Sequence, residues 1–119
     1  MLLVEDEVQI LDLGRRILEQ FGYTVLAASA PEAALELAAQ ASAPIRLLNT
    51  DVVMPGMNGK ELVAPLRVGR PSLRCIFMSG YTASEIAHHG VLQAGVAFLQ
   101  KPFTIHNLTA TVREVLDGA

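Results

Sequence analysis

Apolar residues along this chain recur in two alternating spacings. Short, largely apolar runs at 2–4, 24–27, 45–50, 75–78 and 97–99 have the length and composition of strands buried on both faces. Between the runs, apolar positions return every three or four residues, as they do on one face of a helix. Ile10, Leu13, Gly14, Ile17, Leu18 and Phe21 form one such stripe, closed by Gly22. A second helix is expected after Ser29, with Pro31 in its first turn, Glu32 placed to complete a capping box, and Ala34, Leu37 and Ala38 turned inward. A last helix starts near Thr104, with Ile105, Leu108, Val112 and Val115 on one side. Two segments are less regular. The stretch 59–68 contains Pro65, which should kink or end a helix at a cost of about 3 kcal/mol outside the first turn. The stretch 83–94 has Gly90 mid-span and a thin stripe of Ile86, Ala87 and Val91, so the helix expected there is weakly held and a candidate moving part. Five strands alternating with helices predict an α/β fold with one parallel sheet covered on both faces. No repeat, linker or low-complexity segment interrupts the pattern.

With 119 residues and 51% apolar content, the chain is expected to form one domain, 1–119, around one core. Its 9 basic and 12 acidic residues, with the arginines scattered, argue against direct nucleic-acid binding. The single cysteine, Cys75, sits in an apolar run, which predicts a core residue, no disulfide framework and a reducing compartment. No apolar run approaches the roughly 20 residues that span a bilayer, and no basic leader precedes the first strand. The expected location is cytoplasmic, without membrane insertion. The abrupt start at Met1 and the stop after Leu116 suggest a trimmed domain.

Polar residues at the strand ends carry the chemistry. Right-handed crossovers bring the C-terminal ends of parallel strands to one edge, where such sheets bind ligands. Glu5 and Asp6 follow the first run, Asp51 closes the third, and Lys101 follows the fifth. A dinucleotide or P-loop site would need glycines after the first strand, but Glu5-Asp6-Glu7 stands there, so a phosphate can enter only with a cation. Mg²⁺ prefers oxygen ligands and keeps several waters, and Asp6, Asp51 and one main-chain carbonyl fit that demand. Two carboxylates about 4 Å apart repel by roughly 4 kcal/mol at an effective dielectric near 20, so Lys101 alone does not neutralise the cluster. Glu5-Asp6 taken alone could be solvated turn carboxylates; four such residues at strand ends by chance is far rarer.

The segments LLVEDE, TDVVMPGMNG, FMSGYT and FLQKPF, distributed along the full length, resemble those of a receiver domain of a two-component response regulator. The resemblance implies a flavodoxin-like, doubly wound five-stranded sheet, (βα)5. It also implies that Asp51 accepts a phosphoryl group from a histidine kinase or a histidine phosphotransfer domain. Asp6 would hold Mg²⁺ directly, Glu5 through a water, and Val53 through its backbone carbonyl. Ser79 resembles the hydroxyl that turns towards the phosphoryl group, Lys101 the lysine that grips it, and Phe98 the aromatic whose rotation accompanies activation. The Lys101-Pro102 bond is expected to be cis, aiming Lys101 inward. Output would leave through the face built by 83–94, the fifth strand and the last helix, and a phosphorylation-dependent dimer is among the associations implied. MSGYT, HHGVL and FLQKPF are most similar to receivers at the C-terminal end of hybrid sensor kinases. The chain would be a phosphorylation-controlled switch rather than an enzyme, though one able to catalyse its own phosphorylation and dephosphorylation.

The residues support these roles physically. A carboxylate can attack phosphorus and form an acyl phosphate, and a cation with Lys101 stabilises charge on the equatorial oxygens. Ser79, uncharged, gains a strong partner only when phosphate is present, which is the differential contact a switch requires. Alone, Ser79 reads equally as a strand-end hydroxyl and Phe98 as a core aromatic. Several positions depart from the receiver pattern. Asn49 shares a strand face with Asp51 where an aliphatic residue is usual, and an unpaired amide there would cost about 1–3 kcal/mol. Arg46 stands where an acid is usual and is expected to lie exposed at the opposite edge of the sheet. Gly80 replaces the common alanine, and Val53 and Tyr81 leave the phosphoryl lifetime open. Adjacent His88 and His89 would point about 100° apart on a helix and cannot easily share a metal; with His106, they read as solvated or partner-facing. Two competing functions are a phosphohydrolase with an Asp nucleophile, for which Val53 is the wrong residue two positions on, and a pseudo-receiver that is never phosphorylated.

Overall fold

Unbroken apolar runs need cover on both faces, and a parallel sheet between helical layers supplies it. The computed structural model describes residues 1–42, 44–52, 58–80 and 97–118. The elements run β1 (Leu2–Val4), α1 (Val8–Gln20), β2 (Leu26–Ala28), α2 (Pro31–Gln40), β3 (Leu47–Asp51), α3 (Gly59–Arg67), β4 (Arg74–Ser79), β5 (Ala97–Gln100) and α4 (Ile105–Asp117). All strand pairs are parallel, in the order β2-β1-β3-β4-β5. Strand order reverses between β1 and β3, so a crevice opens beyond Val4 and Asp51.

Period-two alternation divides the strands between two cores. Leu2, Val4, Leu48, Cys75 and Phe77 face Ala34 and Ala38 of α2 and Leu62 and Leu66 of α3. Leu3, Leu47, Ile76, Met78 and Leu99 face Ile17 and Leu18 of α1 and Leu108 and Val112 of α4. Gly14 brings α1 close to the sheet, since a Cβ there would lie 3.2 Å from Leu3 Cδ2.

Several local expectations are corrected. β2 starts two residues later than the apolar run, and β3 starts two residues later and ends one residue later, at Asp51. The α1 stripe is narrower than its spacing suggests. Leu13 and Phe21 are 50% and 56% exposed, while Leu11 packs inward, because α1 meets the sheet along Gly14, Ile17 and Leu18. Gly22 closes that helix at a φ of 92°, a left-handed conformation that suits glycine. The N-cap of α2 is Ala30, not Ser29, so Pro31 is the first helical residue, Glu32 falls short of the third position, and no capping box forms. Pro65 lies inside α3 without preventing it; the helix ends two residues later, and its start is secured by a capping box between Asn58 and Glu61. Ile105, at the first position of α4, is 55% exposed.

Asn49 is fully buried on the α1/α4 side of β3, between its register partners Leu3 and Ile76. Its Nδ2 donates to Met1 Sδ at 3.4 Å, and its Oδ1 has no partner among the described residues. Arg46 is exposed at the opposite end of the sheet from the crevice. The helix expected over 83–94, together with Val53, Tyr81, His88 and His89, lies outside the described residues.

Candidate functional site

The crevice is built from three strand ends. After β1 the Glu5 N–H still bonds to Ala28 O of β2 at 3.1 Å, and the Glu5 side chain is fully buried. Its Oε2 accepts the Glu7 N–H at 3.1 Å, and its Oε1 accepts Lys101 Nζ at 2.7 Å. Asp51, the last residue of β3, is 5% exposed and accepts the same ammonium at 2.9 Å. The backbone N–H of Lys101 donates to Ser79 O at 2.7 Å, and the Lys101-Pro102 peptide that follows is cis. Asp6 is exposed at the mouth. Carboxylate oxygens of Glu5, Asp6 and Asp51 lie within 4.8 Å of one another.

This crowding perturbs protonation. Burial, reinforced by the Glu5 carboxyl and only partly opposed by Lys101, pushes Asp51 up to about 8. Burial also works against ionised Asp6, but hydrogen bonds from Glu5 and Asp51 and the charge of Lys101 outweigh it and hold Asp6 below its ordinary value. Desolvation would weaken the Lys101 ammonium, yet Glu5 and Asp51 hold its pKa above the usual lysine value. One ammonium faces three carboxyls, all with oxygen donors. A hard divalent cation fits that set: it supplies the missing positive charge and takes only oxygen ligands.

Ser79 and Phe98 lie on the two strands beyond β3. Ser79 ends β4 and is 3% exposed. Phe98 lies half-buried on β5 beside its register partner Phe77. Gly59 is a neighbour that spacing alone did not reveal: a Cβ there would fall 2.6 Å from Asp51 O and 3.0 Å from Thr50 Cγ2. Its N–H donates to Val52 O at 2.8 Å, and the Val52 N–H donates to Met78 O at 2.9 Å. The start of α3 is thereby pressed against the end of β3. The available signal was a glycine at the first position of a helix, where a better helix former would otherwise serve.

The sequence matches the family described as the response regulator receiver domain over residues 1–113. The sensor kinase CckA of Brucella abortus (strain 2308) is 38% identical over 117 residues, 98% of this chain and 12% of the kinase. The hydrogenase transcriptional regulatory protein HoxA of Cupriavidus necator is 34% identical over 119 residues, 99% of this chain and 24% of HoxA. The chain therefore spans a quarter or less of the length of these two relatives. Among solved structures, the receiver domain of the hybrid histidine kinase CckA superposes with a TM-score of 0.82 at 35% identity, covering 98% of this chain and 97% of that one. Chemotaxis protein CheY4 of Vibrio cholerae gives 0.83 at 28% identity, covering 96% and 95%. Matched along nearly its whole length in both sequence and fold, the chain belongs to the response regulator receiver domains of two-component signalling.

Proposed function

We infer that residues 1–119 act as one phosphoacceptor module, with Asp51 as the residue phosphorylated. The observation that carries this reading is the convergence of Glu5, Asp6 and Asp51 around Lys101 at the point where strand order reverses. Asp51 attacks the phosphorus of a phosphohistidine on a histidine kinase or phosphotransfer domain; an O–P bond forms, the N–P bond breaks, and the imidazole leaves with the electron pair. The nucleophile must be ionised, yet burial and Glu5 favour its protonated form. Lys101, 2.9 Å away, already favours the carboxylate and is placed to grip an incoming phosphoryl oxygen. Asp6, Asp51, Glu5 and the Val53 carbonyl would hold Mg²⁺, which when bound supplies charge stabilisation for the transferring phosphoryl group. Ser79 then donates to the phosphoryl group, and Phe98 reports the change. Because the phosphoryl group stays on the chain, the domain is an acceptor and switch rather than an enzyme.

Incubation with Mg²⁺ and acetyl phosphate, followed by intact mass, tests the assignment. One phosphoryl adduct is expected, absent in Asp51→Asn. An undiminished adduct in that variant places the phosphoryl group elsewhere; donor turnover without adduct favours the hydrolase, and no reaction the pseudo-receiver.

A further inference from the structure

At the end of the sheet opposite the carboxylates, a cleft of about 1130 Å³ lies between the strand starts, the α3–β4 turn and the last turn of α4. Arg46, Arg70, Arg74 and Arg113 line it, and among the described residues no carboxylate does. In a chain of net charge −3, four of the nine basic residues therefore gather at one end. Arg113 is neutralised by a two-pronged pair with Asp117 at 2.8 and 2.9 Å. The other three meet no acid among the described residues. Arg70 donates to Ala38 O at 2.7 Å, Arg74 donates to Val115 O and Gly118 O at the end of α4, and Arg46 is exposed. Arg74 opens β4 opposite Leu47, one residue beyond Arg46, and its N–H bonds to Arg46 O at 3.1 Å.

We propose that this cleft docks an acidic, partly apolar peptide segment of a partner protein, its carboxylates taken by Arg46, Arg70 and Arg74. Guanidinium groups match carboxylates in planar, two-pronged fashion, and each retains donors after one or two are used on carbonyls. Anchoring Arg70 and Arg74 to the backbone fixes them before binding, which lowers the ordering cost. Charge complementarity selects an anion, and the walls select a peptide over a bare phosphate. Tyr23, Pro44, Pro71 and Leu116 present apolar surface that a small inorganic ion would leave wet, and the three arginines come from two segments, the entry to β3 and the α3–β4 turn.

The probe is a short fluorescent peptide of alternating glutamate and leucine, titrated against the full chain by anisotropy. Saturable, salt-sensitive binding is expected, weakened about tenfold by Arg46→Glu, equivalent to about 1.4 kcal/mol. Arg15→Glu, on α1 away from the cleft, should bind like the unmodified chain. Arg46→Gln, which removes the charge without reversing it, should fall between and guards against misfolding of the glutamate variant. Absence of saturable binding, equal binding by Arg46→Glu and Arg15→Glu, or equally tight binding of inorganic tripolyphosphate overturns the proposal. Phosphoryl uptake at Asp51 in the Arg46 variants should be unchanged, so the outcome is separate from the assignment of the phosphoacceptor.

Discussion

Asp51 shows how a single residue couples folding to chemistry. Its proton is favoured by burial and by Glu5, so between the ordinary carboxylate value of 3.8 and about 8 the folded chain binds more protons at this site than the unfolded chain. Stability from this residue is therefore full below the unfolded value and falls as pH rises through the folded one. Asp6, shifted down, acts only below its ordinary value, and Lys101, shifted up, acts only above its own, so neither masks that window. Denaturant melts in EDTA across pH 4 to 8 should show stability declining towards high pH, with a much flatter profile in Asp51→Asn; parallel profiles would mean Asp51 ionises normally. Cation binding needs the ionised carboxylates, so apparent Mg²⁺ affinity should rise with pH over the same range. Gly59 is the second decisive residue. Gly59→Ala would place a methyl 2.6 Å from Asp51 O, against backbone that cannot swing aside as a side chain could. A loss of about 1–3 kcal/mol in a denaturant melt, as for other overpacked sites, and weaker Mg²⁺ binding are expected; unchanged Mg²⁺ affinity would show that the α3 contact does not position the site.

Among the elements, legibility followed burial. Strands are legible as short, largely apolar runs because both faces are covered, and the polar residues at their ends, Glu5, Asp6, Asp51 and Lys101, fall at one edge of a parallel sheet. Helix faces were harder. Spacing put Leu13 and Phe21 on the α1 stripe, yet burial is decided by what lies opposite, and only the line through Gly14, Ile17 and Leu18 meets sheet and α4. Capping signals misled once and were missed once: Ser29 lies one residue before the true N-cap, whereas Asn58 and Glu61 form the box that compensates for Pro65. Gly59 could not be recognised as a site residue, because a glycine's role depends on which backbone approaches it in space. Asn49 is not legible in the sequence for a similar reason, since its one partner among the described residues, the sulfur of Met1, is 48 residues away.

At the scale of the whole molecule the two ends of the sheet differ in kind, with carboxylates and a lysine at one and arginines at the other. Core packing between them gives a rigid frame, so a signal from Asp51 is expected to travel sideways across the sheet rather than through it. The route is short. The Lys101 N–H bonds to Ser79 O, β4 and β5 pair from Ile76 with Ala97 to Ser79 with Gln100, and half-buried Phe98 lies beside Phe77. On the proposed function, phosphoryl binding that recruits Lys101 and Ser79 is expected to load the strand carrying Phe98, by a population shift of a few kcal/mol at most. Beryllofluoride with Mg²⁺, a stable stand-in for the acyl phosphate, should change backbone chemical shifts around Asp51, along β5 and in 83–94, and leave α2 and the arginine cleft nearly unmoved. Changes concentrated instead in α1 and α2 would place the output surface on the other side of the molecule while leaving Asp51 as the acceptor.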